Sequence, residues 1–207
     1  MKLLIFLAHL DDFELSCLGY VFKNYKRYKS IDLIVGAYNN FKDKVTKENI
    51  QGLNDKYKIK VNYFNLGYKA SSFFENLDKI KKDFYGNYVN FKKGFDILTH
   101  NQEDHHTDHI ALNMISNGLF KFSDRFITCY SPSTLNFKPN YFIEMNDEEY
   151  SFKHDANSKY DIEKDDSFSK LGYYFSEHWD IGAVYNMEYN VKVNQKHCEI
   201  YKILKWK

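Results

Sequence analysis

The feature that most limits the fold of this chain is an alternation of short, unbroken apolar runs with longer segments of helical periodicity. Lys2 to Ala8 comes first: Leu3-Leu4-Ile5-Phe6-Leu7 has no polar face, so a strand formed from it must be covered on both sides. Leu15, Leu18, Gly19, Val21 and Phe22 then recur at helical spacing as far as Tyr28. Ile31 to Ala37 reads as a second buried strand, Asn39 to Asp43 as a polar loop, and Val45 to Tyr57 as a helix. Val61 to Leu66 is strand-like, Phe74 to Phe84 a helix with a Lys-rich face, and Phe95 to Thr99 a fourth strand. His106 to Leu119 has the apolar spacing of a helix, and Phe126 to Tyr130 reads as a fifth strand. Such alternation predicts an α/β fold with a mainly parallel sheet and helices on both faces.

The last third is less regular. Tyr141 to Glu144 predicts a strand, Asp147 to Tyr160 a helix and Asp161 to Asp166 a surface loop. Ala183 to Val193 and Glu199 to Leu204 read as a terminal β-hairpin or added strands. No repeat or Pro/Gly/Ser-rich linker divides the 207 residues, so one domain over 1–207 is expected.

Charge excludes some classes of function. Lys plus Arg number 29 against 28 Asp plus Glu, so bulk charge gives no reason to expect nucleic acid or an anionic membrane as partner. Cys17, Cys129 and Cys198 form no CxxC pair and read as small buried hydrophobes in a reducing compartment. Met1-Lys2 and the apolar run after them imitate a signal peptide, but His9, Asp11 and Asp12 cut the run short with no small-residue cleavage site. No stretch approaches the ~20 apolar residues of a membrane span. A cytoplasmic protein acting on a small molecule is expected; the oligomeric state is left open.

Two polar clusters follow two of the apolar runs. Ala8-His9-Leu10-Asp11-Asp12-Phe13-Glu14 follows the first strand, and His105-His106-Thr107-Asp108-His109 comes soon after the fourth. Side chains of this kind are costly to bury without partners. In open α/β sheets ligands bind beyond the carboxyl ends of the strands. If the first and fourth strands are neighbours, both clusters rise into one crevice. A catalytic zinc takes three protein ligands and leaves a position for water. His9 and Asp12, three apart across a strand-to-helix turn, can aim at one point, and His109 is the choice for the third ligand. His106 and His109 share a face of a first helical turn, so one can bind metal while the other faces the substrate. Asp11 is then placed as general base, and Asp108 can orient a histidine through its second nitrogen.

Simpler roles compete. Asp11 or Asp12 can be a helix N-cap with Glu14 in the first turn, and Asp104 can cap the later helix. His105 reads as a solvated loop residue and His100 as a pocket or supporting residue. His154, His178 and His197 lie outside both clusters. Tyr130 is a candidate pocket residue beyond the fifth strand.

Ala8-His9-Leu10-Asp11-Asp12-Phe13-Glu14, continuing to Gly19, resembles the AHPDDxE signature of the LmbE-like (PIG-L) zinc-dependent N-deacetylases. Thr99-His100-Asn101-Gln102-Glu103-Asp104 and His106-Thr107-Asp108-His109 resemble that family's second block, a TH segment followed by HPDH. The match covers roughly residues 1 to 131. The resemblance implies a Rossmann-like fold and hydrolysis of an N-acetyl group on an amino sugar or sugar conjugate. It implies Zn2+ (or Fe2+) on His9, Asp12 and His109, Asp11 as general base, and His106 as the group that stabilises the oxyanion, tuned by Asp108. Departures are Leu10 and Thr107 where proline is usual, Leu18 for a glycine, and Val45 at the arginine of an RxxE element whose glutamate would be Glu48. No acidic residue follows the third strand around Tyr68 to Ser72, and Tyr185-Asn186-Met187-Glu188-Tyr189 only echoes the family's YAEAF-like ending.

Two other classes fit parts of the pattern. His9-x-Asp11 with a distant histidine satisfies the facial triad of a non-haem iron oxygenase, although those sit mostly on β-rich barrels. A non-catalytic binding protein on the same fold is the other, and the retained Asp11 and His106 speak against it.

Overall fold

A computed structural model of the chain describes residues 1–134, 136–162 and 197–206. Its centre is a sheet of strands β1 (Lys2–Leu7), β2 (Ser30–Ala37), β3 (Asn62–Tyr68), β4 (Phe95–His100), β5 (Arg125–Cys129), β6 (Tyr141–Met145) and β7 (His197–Trp206), in the order β3-β2-β1-β4-β5-β7-β6. The strands β3, β2, β1, β4 and β5 run parallel, as the alternation with helices predicts. β7 inserts antiparallel between β5 and β6. The last third thus extends the sheet. The Ala183–Val193 expectation, most of the Asp161–Asp166 loop, His178 and the Tyr185–Tyr189 echo lie outside the described residues.

β1 shows why its apolar run is unbroken. Leu3, Ile5 and Leu7 pack into one core with Leu18, Val21 and Leu53, while Leu4, Phe6 and Ala8 pack into a second with Ile80, Phe84 and Leu112. Phe6 and Phe84 stack at 3.8 Å across this second core. Successive side chains alternate sides, so each core claims every other residue.

The helices are α1 (Asp12–Ser16), α2 (Leu18–Asn24), α3 (Asn40–Tyr57), α4 (Leu77–Tyr88), α5 (Thr107–Asn117) and α6 (Asp147–Ser158). Three of the differences from the expected boundaries concern how a helix begins or breaks. The helix after β1 is broken at Cys17 into α1 and α2. The Asn39–Asp43 stretch is no loop: Asn39 caps α3 by accepting Lys42 N–H at 2.9 Å, and the helix starts at Asn40. α4 begins at Leu77 rather than Phe74.

Leu18, at the position of an expected glycine, is fully buried, while Gly19 carries the close approach. A Cβ there would stand 2.7 Å from Glu199 Oε2, which accepts Gly19 N–H at 2.9 Å. Glu199 on β7 is also bonded by Tyr201 Oη–H and by Lys153 of α6, whose ammonium reaches Leu15 O at 2.8 Å as well. This buried knot ties the late elements to the first helices. Cys17, Cys129 and Cys198 are buried free thiols, as expected. Among the described residues, no helix is long and apolar enough to cross a membrane.

Candidate metal centre

β1 and β4 are hydrogen-bonded neighbours with Phe6 paired to Thr99, so the segments leaving their carboxyl ends emerge side by side. β2 departs to one side of β1 and β4 to the other, which makes this the point where strand order reverses and where α/β sheets open a crevice. Both polar clusters converge there.

The contacts are close. His9 Nδ1 lies 3.2 Å from His109 Nε2 and 3.5 Å from Asp12 Oδ2, and His109 Nε2 lies 3.4 Å from Asp12 Oδ1. The outer ring nitrogens are fixed on carboxylates: His9 Nε2 on Asp108 at 3.1 Å and His109 Nδ1 on Asp104 at 3.0 Å. With the outer nitrogens protonated toward those carboxylates, the two inner nitrogens present lone pairs to one point beside Asp12. Three electron-pair donors facing each other can hold a cation between them. Two ligands ~2.0–2.1 Å from a tetrahedral ion stand ~3.3 Å apart, which the observed separations match. The donor set therefore fits a zinc-like ion.

The buried carboxylates also favour positive charge at this point. Burial alone would lower the His9 pKa, but the carboxylates of Asp108 and Asp12 outweigh it and hold the ring at about 9. For His109, Asp12 and Asp104 outweigh burial and hold it at about 10. Asp12, which burial would raise, is pulled well below the carboxylate range by His109 and His100. Protons fill the place of a positive charge, and a metal taking it would release them.

Two further donors are near, with different roles. His100, buried below the site, stacks on His109 at 3.7 Å, but its Nε2 accepts Ala8 N–H at 2.9 Å, so that lone pair is engaged. Burial and the neighbouring His109 depress its pKa to about 4, keeping it a neutral floor. Its Nδ1 has no hydrogen-bond partner among the described residues. His106 caps α5: its Nδ1 accepts Asp108 N–H at 3.2 Å, so its Nε2 carries the remaining proton. Burial, His9 and His109 lower its pKa, and the half-buried neutral ring is a hydrogen-bond donor at the edge of the site. His9, His106 and His109 also lie close enough together to share an ion.

Several sequence expectations need correction. The Asp108 carboxylate orients His9 by a hydrogen bond and acts on His106 only through its charge; it also accepts Ser71 N–H at 2.6 Å and Phe73 N–H at 3.3 Å. Backbone amides thus occupy the region after β3 where the resemblance would place an acidic residue. Asp104 is no simple cap. It is buried, takes His106 N–H at 2.9 Å, holds His109, and accepts hydroxyl bonds from Ser131, Ser133 and Thr134; burial would raise its pKa, but His109, Ser131 and Ser133 lower it. The hydroxyls follow β5, far away in sequence. Asp11 sits at the α1 N-cap position without a side-chain cap bond; its carboxylate turns to Lys42 Nζ at 2.7 Å.

Glu14, in the first turn of α1, is fully buried, and burial raises its pKa to about 8 against a bond from Asn49 Nδ2 at 2.9 Å. Glu48 is exposed and pairs loosely with Lys44 at 3.9 Å, while Val45 is buried. Besides Lys42, α3 reaches the first cluster through Thr46, 3.3 Å from Leu10 O, and Asn49, which bonds Glu14. His105 is exposed, as expected. Tyr130 packs on Phe137 in a side cluster, and His197 stacks on Tyr150 at 3.5 Å.

Similar chains are found among solved structures. An N,N'-diacetylchitobiose deacetylase from Pyrococcus horikoshii superimposes with a TM-score of 0.63 at 13% identity, covering 98% of this chain and 83% of that one. A teicoplanin deacetylase, Orf2, in a zinc-inhibited form gives 0.58 at 11%, covering 98% and 97%. The chain shares the fold of these two proteins, which belong to the LmbE-like deacetylases. That fold is not confined to one reaction: GalB, a 4-carboxy-2-hydroxymuconate hydratase from Pseudomonas putida KT2440, gives 0.60 at 13%, covering 100% and 97%. No family model and no curated protein matches the sequence. Within the LmbE-like fold, function therefore has to be read from the site.

Proposed function

We propose that this protein is a metal-dependent amide hydrolase that removes an N-acetyl group from an amino sugar or sugar conjugate. The observation that carries the reading is the convergence of His9 Nδ1, His109 Nε2 and Asp12 on one point, each ring braced from behind by a carboxylate. His9, Asp12 and His109 would hold the ion, and zinc suits their nitrogen and oxygen donors, with Fe2+ the other candidate. Bound there, zinc supplies a water acidified to a pKa of ~7 and a Lewis acid for the acetyl carbonyl.

The chain's own residues do the rest. Asp11 accepts the water proton and passes it to the leaving amine. His106, neutral with Nε2–H outward, donates to the oxygen that gains negative charge. Asp108 and Asp104 are positioning residues that fix ring orientation. Support from the neighbours is at the level of fold: two are named as deacetylases, one of N,N'-diacetylchitobiose and one of teicoplanin. The mostly parallel sheet disfavours the oxygenase reading, whose facial triads sit mostly on β-barrels. The hydratase neighbour favours a second reading, addition of water to an activated double bond with Asp11 in the same role.

The test is release of a primary amine and acetate from a panel of N-acetylated sugars, nucleotide-sugars and glycoconjugates. Release that stops with a chelator and returns with zinc is expected. No release from any member, with turnover of an unsaturated hydroxy-acid instead, would transfer the assignment to hydration. A further expectation concerns Asp104: Asp104→Asn removes the charge behind His109 and should weaken zinc binding ~10–100-fold. Competition against a chromophoric chelator reads this directly; unchanged affinity would show that the hydroxyl-anchored carboxylate is not part of the metal support.

A further inference from the structure

Lys42 pairs with Asp11, the neighbour of Asp12, and neither cluster predicts it. It lies in the first turn of α3, where an eighteen-residue helix presents the positive end of its dipole, so a lysine there works against the helix. Its backbone is nonetheless held on both sides: Asn39 Oδ1 takes its N–H at 2.9 Å, and Thr46 Oγ1 donates to its carbonyl at 2.9 Å. Thr46 Oγ1 also lies 3.3 Å from Leu10 O, and Tyr160 Oη–H donates to the same carbonyl at 3.0 Å. The first turn of α3 is thereby stitched to the loop carrying His9, Asp11 and Asp12. From that fixed base the Lys42 ammonium reaches Asp11 Oδ2 at 2.7 Å, with the two side chains 35% and 25% exposed.

A freely rotating carboxylate offers either oxygen in any direction. Binding Oδ2 to an anchored ammonium stops that rotation and leaves Oδ1 as the basic oxygen. The adjacent Asp12 is already committed, its Oδ2 accepting His9 N–H at 2.7 Å, so the ammonium also keeps the two neighbouring carboxylates from exchanging places.

We infer that Lys42 is a positioning residue that orients Asp11 for proton transfer, standing in for the rigidity that proline would give at Leu10. This rests on the deacetylase reading and adds to it a residue from the helix after β2. No proton leaves Lys42 during turnover; Asp11 receives and returns the one that moves.

The experiment compares the zinc-loaded parent protein with Lys42→Met, Lys42→Arg, Asp11→Asn and the Asp11→Asn/Lys42→Met double variant on an N-acetylated substrate that the parent cleaves. Lys42→Met should lower kcat ~10-fold or more with KM and zinc content unchanged, the size expected when a reacting group loses its orientation. Lys42→Arg should restore kcat to within about threefold, since it keeps the charge and the reach. In the Asp11→Asn background, Lys42→Met should cost nothing further, because coupled residues are not additive. A raised KM with unchanged kcat would make Lys42 a substrate contact and overturn the inference. Equal losses with and without Asp11, or loss of zinc, would reduce it to a structural residue. Amine release by the parent with no effect of Lys42→Met would defeat the inference alone. A parent that releases no amine from any substrate would bring down the deacetylase reading and the inference with it.

Discussion

Asp11→Asn is expected to lower kcat for amine release by ~10²–10⁴-fold, the range contributed by a positioned general base, while zinc remains bound. The separation of effects follows from geometry. The Asp11 carboxylate turns to Lys42 Nζ, whereas the rings of His9 and His109 are braced by Asp108 and Asp104, so the donors around the metal point keep their own supports when its charge is removed. Asparagine keeps the shape and can still accept from Lys42 through its carbonyl oxygen, but cannot take a proton at neutral pH. Metal content by elemental analysis and kcat on one substrate are the two measurements. A variant that keeps more than a tenth of parental kcat would remove Asp11 from the mechanism and leave His106 as the group that moves the proton. A variant that loses its zinc would instead place Asp11 among the ligands.

Lys153→Met is expected to destabilise the fold by ~3–5 kcal/mol, because it strips a buried carboxylate of its counter-charge. Lys153 and Glu199 are both 2% exposed, and their ion pair bridges α6 and β7. Glu199 would keep Gly19 N–H and Tyr201 Oη–H, which places the expected loss toward the lower end of that range. Leu15 O would lose its ammonium donor as well. Urea unfolding reads the change as a lower midpoint with an unaltered slope. Lys153→Met/Glu199→Gln should recover part of the loss, since a neutral amide needs no counter-charge. A single variant within about 1 kcal/mol of the parent would mean that the pair is held for geometry alone.

Whether a feature is legible in the sequence depends on whether its cause is local. Three of the five parallel strands, β1, β2 and β4, are legible because a strand buried on both faces has to be apolar throughout, and Leu3 to Leu7, Ile31 to Ala37 and Phe95 to Leu98 are interrupted only at Asp32, Gly36 and Asp96. The start of α3 is hidden because Asn40 to Lys44 is mostly polar. Its helicity comes from the Asn39 cap and from burial of Asp43, whose carboxylate accepts Tyr63 Oη–H at 2.6 Å from β3. The place of β7 in the sheet is hidden too, because the strands beside it, β5 and β6, come far earlier in the chain.

The same distinction holds at the site. Residue type and spacing pick out His9, Asp12 and His109, since polar groups this costly to bury are rarely set directly after buried strands for packing. They do not show which carboxylate braces which ring. Asp108 reaches His9, 99 residues away in sequence, and Asp104 is itself held by Ser131, Ser133 and Thr134 from the segment after β5. Lys42 is one polar residue among many until α3 folds and sets its ammonium on Asp11.

Layer order and the donor atoms are thus written in short runs of residues, because burial on both faces and the chemistry of imidazole and carboxylate belong to the residues themselves. That β1 and β4 lie side by side, which rings point inward and which carboxylates stand behind them are settled only on folding. Those are relations between segments some hundred residues apart, and hydrogen-bond geometry at ~3 Å exists only once both have been placed.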